Sequence, residues 1–154
     1  MSTMTLELRD WWTEEAPSAE RQAPWLRAAA PAETDPALDA ELERAEEMVR
    51  DQIEDDEPAI LRPALDRASA FLRVQSRESR ERFEKFPPAP YVSPGPDGSV
   101  DLHWERPGWG LLINVPADES PATFYGDGGR MCRIKGSFDP RTCDLGIINW
   151  LSKM

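Results

Sequence analysis

Residues 90–115 read PYVSPGPDGSVDLHWERPGWGLLINV, and the spacing within them decides the fold. Val100, Leu102 and Trp104 alternate with Asp101, His103 and Glu105. That period of two is the mark of a strand buried on one side. Leu111, Ile113 and Val115 alternate in the same way with Leu112 and Asn114. Between the two runs, residues 106–110 supply a Pro-Gly turn. On the upstream side, Asp97-Gly98 follows a further strand-like run, and glycine tolerates the positive φ that a tight hairpin needs.

The same grammar continues downstream. Residues 117–120 make a turn, 122–125 a strand, and 126–129 (Gly-Asp-Gly-Gly) a hairpin signal. Residues 131–135 complete a meander, with Cys132 and Ile134 facing one way. Asp139-Pro140 pairs a cap with a proline, and 145–151 is apolar enough to be a docked terminal helix.

Upstream of residue 90 the period lengthens to about 3.6. Asp35-Pro36 opens a helix, since Asp caps well and proline in the first turn forfeits no hydrogen bond. Leu38, Leu42, Ala45, Val49 and Ile53 then share one face. The acidic run 54–57 opposes the helix dipole and Pro58 stops the helix. A second helix is expected from there, capped by Asp56 or Glu57 with Pro58 in its first turn. Leu61, Leu65, Ala68 and Leu72 form its stripe and Phe71 widens it. Residues 76–85 prolong it until Phe86-Pro87-Pro88. The two helices form either a helical hairpin or a layer across one sheet face.

The expected class is therefore α+β, with N-terminal amphipathic helices packed on a four- to five-stranded antiparallel meander and a short C-terminal helix. Three segments are expected: a weakly ordered leader (1–34), an acidic amphipathic helix (35–57) and a compact α+β domain (58–154). The leader carries Trp11, Trp12 and Trp25, whose large apolar surfaces either fold back or anchor a partner.

Fifteen prolines and 31% charged residues in 154 leave material for one modest core. No apolar run is long enough to cross a bilayer, the start lacks the marks of an export signal, and there are two cysteines; the expected location is cytoplasmic. The net charge of −11 is unevenly spread. Residues 1–58 hold 17 acidic and 5 basic side chains, whereas 59–89 hold 4 and 7. An acidic front segment disfavours a phosphate backbone and favours a basic surface. Its simpler role is a solvated helix face.

Chemistry-bearing motifs are sparse. Residues 94–98 (Pro-Gly-Pro-Asp-Gly) lack the lysine and the following helix of a phosphate loop. His103 is the sole histidine and, with Cys132 and Cys143, shows no zinc-site spacing. A Cys132–His103 nucleophilic pair is one reading, yet alternation points His103 away from the apolar face while Cys132 lies in phase with Ile134. Asp127 lacks the ligand spacing of a calcium loop. Trp104 packs as core and Trp109 covers the sheet edge; as base-stacking platforms they have only Arg106 as a nearby cation. No catalytic residue, cofactor or metal is assigned.

Pro90, Val92, Pro94, Asp97, Gly98, Ser99, Val100, Leu102 and Trp104, followed by Leu112 and Ile113, also carry a resemblance. The stretch resembles a group of small uncharacterised bacterial proteins that share a proline-flanked strand, an Asp-Gly turn and a Gly-Ser-Val-x-Leu-x-Trp strand. The likeness spans the last 95 residues or so. It implies no catalytic residues; it implies an association with mobile-element or defence-type gene clusters.

The expected function is a non-enzymatic interaction module: an adaptor, inhibitor or accessory subunit in a hetero-complex with another protein. Trp11, Trp12 and Trp25 are the expected anchors, and Glu43, Glu46, Glu47 and Glu54 the electrostatic contacts to a basic surface. Direct nucleic-acid or membrane binding is not expected. The alternatives are an acidic mimic that occupies a DNA-binding protein's basic groove, and a Cys/His hydrolase.

Overall fold

The computed structural model of the chain describes residues 33–52, 59–130 and 132–154. The chain divides between Thr34 and Asp35, and every element below belongs to the second unit, Asp35–Met154. Trp11, Trp12, Trp25, Ile53 and Glu54 lie outside the described residues.

Helix α1 spans Pro36–Asp51. Asp35 caps it as expected, Oδ1 accepting from the Leu38 N–H at 3.2 Å. The other carboxylate oxygen accepts from Ser76 Oγ at 2.8 Å, so one buried side chain starts α1 and pins it to the next helix. Leu38, Leu42, Ala45 and Val49 are the buried face. At the far end Gln52 brackets the backbone of Ile60: its Oε1 accepts from the Ile60 N–H at 3.0 Å and its Nε2 donates to the Ile60 carbonyl.

Helix α2 spans Arg62–Phe83 and starts later than the sequence suggests. Its N-cap is Leu61, without a side-chain bond, and Pro63 sits in the first turn, so neither Asp56 nor Glu57 caps it. Leu61 is consequently half exposed, and the core position falls to Ile60. The reason is the Asp97-Gly98 turn, whose Gly98 carbonyl accepts from the Leu61 N–H at 2.9 Å. That tether holds the backbone extended until Arg62. Ala64, Leu65, Ala68, Phe71 and Leu72 are buried as the stripe requires.

The sheet is a five-stranded antiparallel meander in the order β1 to β5: β1 Tyr91–Pro94, β2 Val100–Arg106, β3 Trp109–Val115, β4 Ala122–Asp127 and β5 Arg133–Phe138. Asp97 (φ 56°) and Gly98 (φ 78°) supply the two left-handed residues of the β1–β2 turn. A Cβ on Gly98 would also stand 2.5 Å from Leu61 Cγ, so both conformation and space demand glycine there. Pro107-Gly108 closes the β2–β3 hairpin in two residues. Gly126-Asp127 is not turn but strand, paired with Ile134 and Arg133; the loop begins at Gly128.

Asp139-Pro140 also departs from expectation. It forms a turn in which Asp139 accepts from the Arg141 N–H at 2.9 Å, and no helix follows directly. Helix α3, Leu145–Ser152, is instead capped by Asp144, which accepts from the Ile147 N–H at 3.0 Å.

The three helices among the described residues cover the same sheet face. Leu42 and Val49 of α1, Phe71 of α2 and Trp150 of α3 join Val92, Leu102, Leu111, Ile113 and Phe138 in one core. The two arrangements open to the helices coincide: α1 and α2 run antiparallel, bridged by Asp35–Ser76, Asp39–Arg73 and Glu46–Arg62, and both lie on the sheet, α1 against β1 and α2 across β2 and β3. Phe138 packs with tilted rings against Phe71 at 5.1 Å and Phe124 at 6.0 Å between centroids. Trp104 is core, its Nε1 donating to the Pro88 carbonyl at 2.7 Å. Trp109 meets Trp150 edge-on at 4.8 Å. Arg67 staples the β3–β4 loop to α2, donating to the carbonyls of Pro116, Asp118 and Ser120. Among the described residues no helix is long and apolar enough to cross a membrane.

Candidate protein-binding face

Alternation that buries one side of each strand also builds the other side. Among the described residues the opposite face carries no helix, and the register aligns its side chains into rows. Tyr91 pairs with His103, His103 with Leu112, Leu112 with Tyr125, and Tyr125 with Lys135. These five residues form a transverse row across all five strands, about 19 Å from end to end at the usual strand spacing. All five are exposed. Half of the six large exposed hydrophobic residues among those described, namely Tyr91, Leu112 and Tyr125, fall in this one row.

The row has a chemically distinct neighbour on each side. Ser93, Asp101, Asn114, Thr123 and Ser137 make a small polar row. Within it Asn114 Nδ2 donates to Asp101 Oδ1 and to Ser99 Oγ, each at 2.8 Å. On the other side Glu105, Gly110, Asp127 and Arg133 follow one another, with Arg133 Nε 3.8 Å from Asp127 Oδ2. Arg44 of α1 reaches around the first edge to stand 4.6 Å from the Tyr91 ring centroid. An apolar, tyrosine-rich band rimmed by polar side chains is the composition of a protein contact surface. As a platform for nucleotide bases it is poorly charged, because Asp101, Glu105 and Asp127 offset Arg133 and Lys135.

The two sheet edges differ. In the β1–β2 ladder the Gly95 N–H donates to the Ser99 carbonyl, which by parity turns the Val92 N–H and C=O outward. Glu41 and Arg44 occupy both: Glu41 Oε1 accepts from the Val92 N–H at 2.8 Å, and Arg44 Nη2 donates to the Val92 carbonyl at 2.5 Å. Arg44 and Glu41 also bond each other, which raises the Arg44 pKa. The remaining outward residue, Pro94, has no N–H to offer. Edge β1 is closed.

The residues singled out in the sequence are dispersed. Glu43 and Glu47 are exposed on α1 without a cationic partner among the described residues, whereas Glu46 is tied to Arg62 at 2.7 Å. His103 stands on the open sheet face, but Cys132 packs against the core on the helix side. The sheet therefore separates the two halves of the supposed nucleophilic pair. Cys143 is half buried; desolvation, followed by the Glu78 charge, pushes its thiol pKa up, away from reactivity. Asp127 Oδ1 accepts from the Gly129 N–H at 3.0 Å, a local turn contact. Among the described residues no three His, Cys, Asp or Glu side chains gather as a metal site.

Tyr91, Leu112, Tyr125 and Lys135 were not candidates by sequence. Their signal was the exposed phase of each alternation, and only the strand register collects them. Comparison with protein-family models, with curated proteins and with solved structures finds no match for this chain.

Proposed function

We propose that this chain is a non-enzymatic protein-interaction module, an adaptor, inhibitor or accessory subunit, which engages another protein through the uncovered face of its sheet. One observation carries the reading: the row Tyr91–His103–Leu112–Tyr125–Lys135, aligned by register and left bare by the three described helices. Tyrosine contributes large contact area at little conformational cost, and hot spots cluster in such central bands. Trp11, Trp12 and Trp25 remain proposed anchors, and Glu43 and Glu47 proposed contacts to a basic surface.

The test is affinity capture from the native host with wild type and with Leu112→Glu, which places a charge mid-row on an exposed position. A specific protein held by wild type and lost by the variant is expected, with an unchanged melting temperature. Capture of the same proteins by both forms refutes the face as the contact. A second reading, the acidic mimic, draws on Glu43 and Glu47 having no cationic partner among the described residues. Competition between this protein and DNA for a basic partner, abolished by Glu43→Lys with Glu47→Lys, distinguishes it.

A further inference from the structure

We infer that edge strand β5 is a docking site for an extended acidic segment of a partner, added as a sixth strand. The inference deepens the interaction-module reading and rests on it. It begins with the hydrogen-bond parity of the last hairpin. The Gly128 N–H donates to the Cys132 carbonyl at 2.7 Å, which makes that pair a bonded one. Bonded and non-bonded pairs alternate along an antiparallel ladder. With Asp127 opposite Arg133, Gly126 opposite Ile134 and Tyr125 opposite Lys135, Ile134 and Gly136 bond inward to β4. The N–H and C=O groups of Arg133, Lys135 and Ser137 therefore point outward.

Among the described residues nothing takes up those groups, and residues 135–137 are exposed in succession. Gly136 leaves the backbone bare at the middle of the run, with Phe124 filling the space beneath it. The contrast with β1 is complete: there Glu41 and Arg44 consume the outward groups of Val92, and Pro94 has none to donate. Among the described residues one margin is sealed and the other is not, which keeps the second available for strand addition.

Charge identifies the occupant. In a chain of net −11, the open margin carries Arg130, Arg133 and Lys135, all exposed, against Asp127, while Asp139 just past the strand is paired with Arg141. Arg133 and Lys135 both project onto the uncovered face, two residues apart, while Ile134 between them turns to the helix side and is half buried. A complementary strand places Asp or Glu at alternate positions beside the two cations and an apolar residue between them. The recognition code is acidic–apolar–acidic, in extended conformation.

The test uses the full-length protein and a synthetic peptide of alternating Glu and Val, with a Lys/Val peptide as control. Saturating Glu/Val peptide is expected to slow hydrogen exchange at the Arg133, Lys135 and Ser137 amides by about tenfold or more. Lys135→Pro removes an outward N–H without breaking the inward ladder, so it abolishes binding while the fold melts as wild type. Lys135→Ala keeps that N–H and weakens binding by about tenfold or less. Unchanged exchange at the three amides, equal binding of the Lys/Val peptide, or full binding by folded Lys135→Pro each overturns the assignment. Concentration-dependent dimerisation that Lys135→Pro abolishes also overturns it, because a second copy then holds the margin. If Lys135→Pro leaves capture of the host partner intact while Leu112→Glu removes it, the edge assignment fails and the face reading stands.

Discussion

Replacing Gln75 by Met should make this protein more stable. Gln75 lies on α2, is 1% exposed, and neither Oε1 nor Nε2 has a hydrogen-bond partner among the described residues. It faces a cavity of about 10 Å³ between α2, Trp104, Leu151 and the Pro87–Pro90 segment. The polar atoms around it are already engaged. Asp35 spends its oxygens on Leu38 and Ser76, and Trp104 Nε1 takes the Pro88 carbonyl. The cavity admits one water at most, too little to serve both ends of the amide. An unpaired buried amide costs about 1–3 kcal/mol by mutational measures. Met matches the length and volume of Gln, so repacking costs less than about 1.5 kcal/mol. The net gain is then about 1 kcal/mol, a rise in melting temperature of about 3–5 °C for a unit of this size. Thermal unfolding followed by circular dichroism measures it, and urea unfolding with an unchanged slope shows that the denatured state is unaltered. A fall in melting temperature on Gln75→Met would refute the reasoning, since it would mean that the amide has a partner worth more than its burial costs.

Three further outcomes are expected. Gln52→Ala strips the bracket from Ile60 and leaves a buried N–H and C=O unpaired, costing about 2–4 kcal/mol in urea unfolding; a loss below 1 kcal/mol, on the order of an exposed contact, contradicts it. Gly98→Ala meets a positive φ and the Leu61 side chain together, and should cost about 2–3 kcal/mol by the same assay. Cys143 holds its proton more tightly in the folded chain, so its alkylation by iodoacetamide should be slower than that of a free thiol and should rise only at higher pH. The sign for stability follows: as pH climbs past the ordinary thiol range, the unfolded chain ionises first and the fold loses stability. Equal alkylation rates for native and urea-unfolded protein at pH 8 would contradict the shift.

Much of the architecture was legible because local and global preferences agree. The alternation at Val100–Trp104 and Leu111–Val115, the Pro107-Gly108 and Asp97-Gly98 turns and the Asp35-Pro36 cap each had one reading, and each stands in the fold. Failures came where a competing contact, distant or within the turn itself, overrode the expected signal. Leu61 left its helical stripe because the Gly98 carbonyl takes its N–H. Asp139-Pro140 looked like a helix start, yet its carboxylate is consumed by Arg141, which also lowers the Asp139 pKa. Gly126 entered a strand although glycine is a poor strand former, because Trp150 and Ile134 fill the space a side chain would take. The candidate face was invisible for another reason. Tyr91 and Lys135 are 44 residues apart in sequence and share a row only through four registers in succession.

The Glu41–Arg44 clip on Val92 has a bearing on how copies of this molecule can associate. Fibrils propagate when every subunit offers a free margin fore and aft, so that each newcomer recreates the template it consumed. Here one flank is plugged by the protein's own helix. Sister molecules meeting through the remaining flank would bury it in both at once, and growth would halt at a closed, two-fold pair.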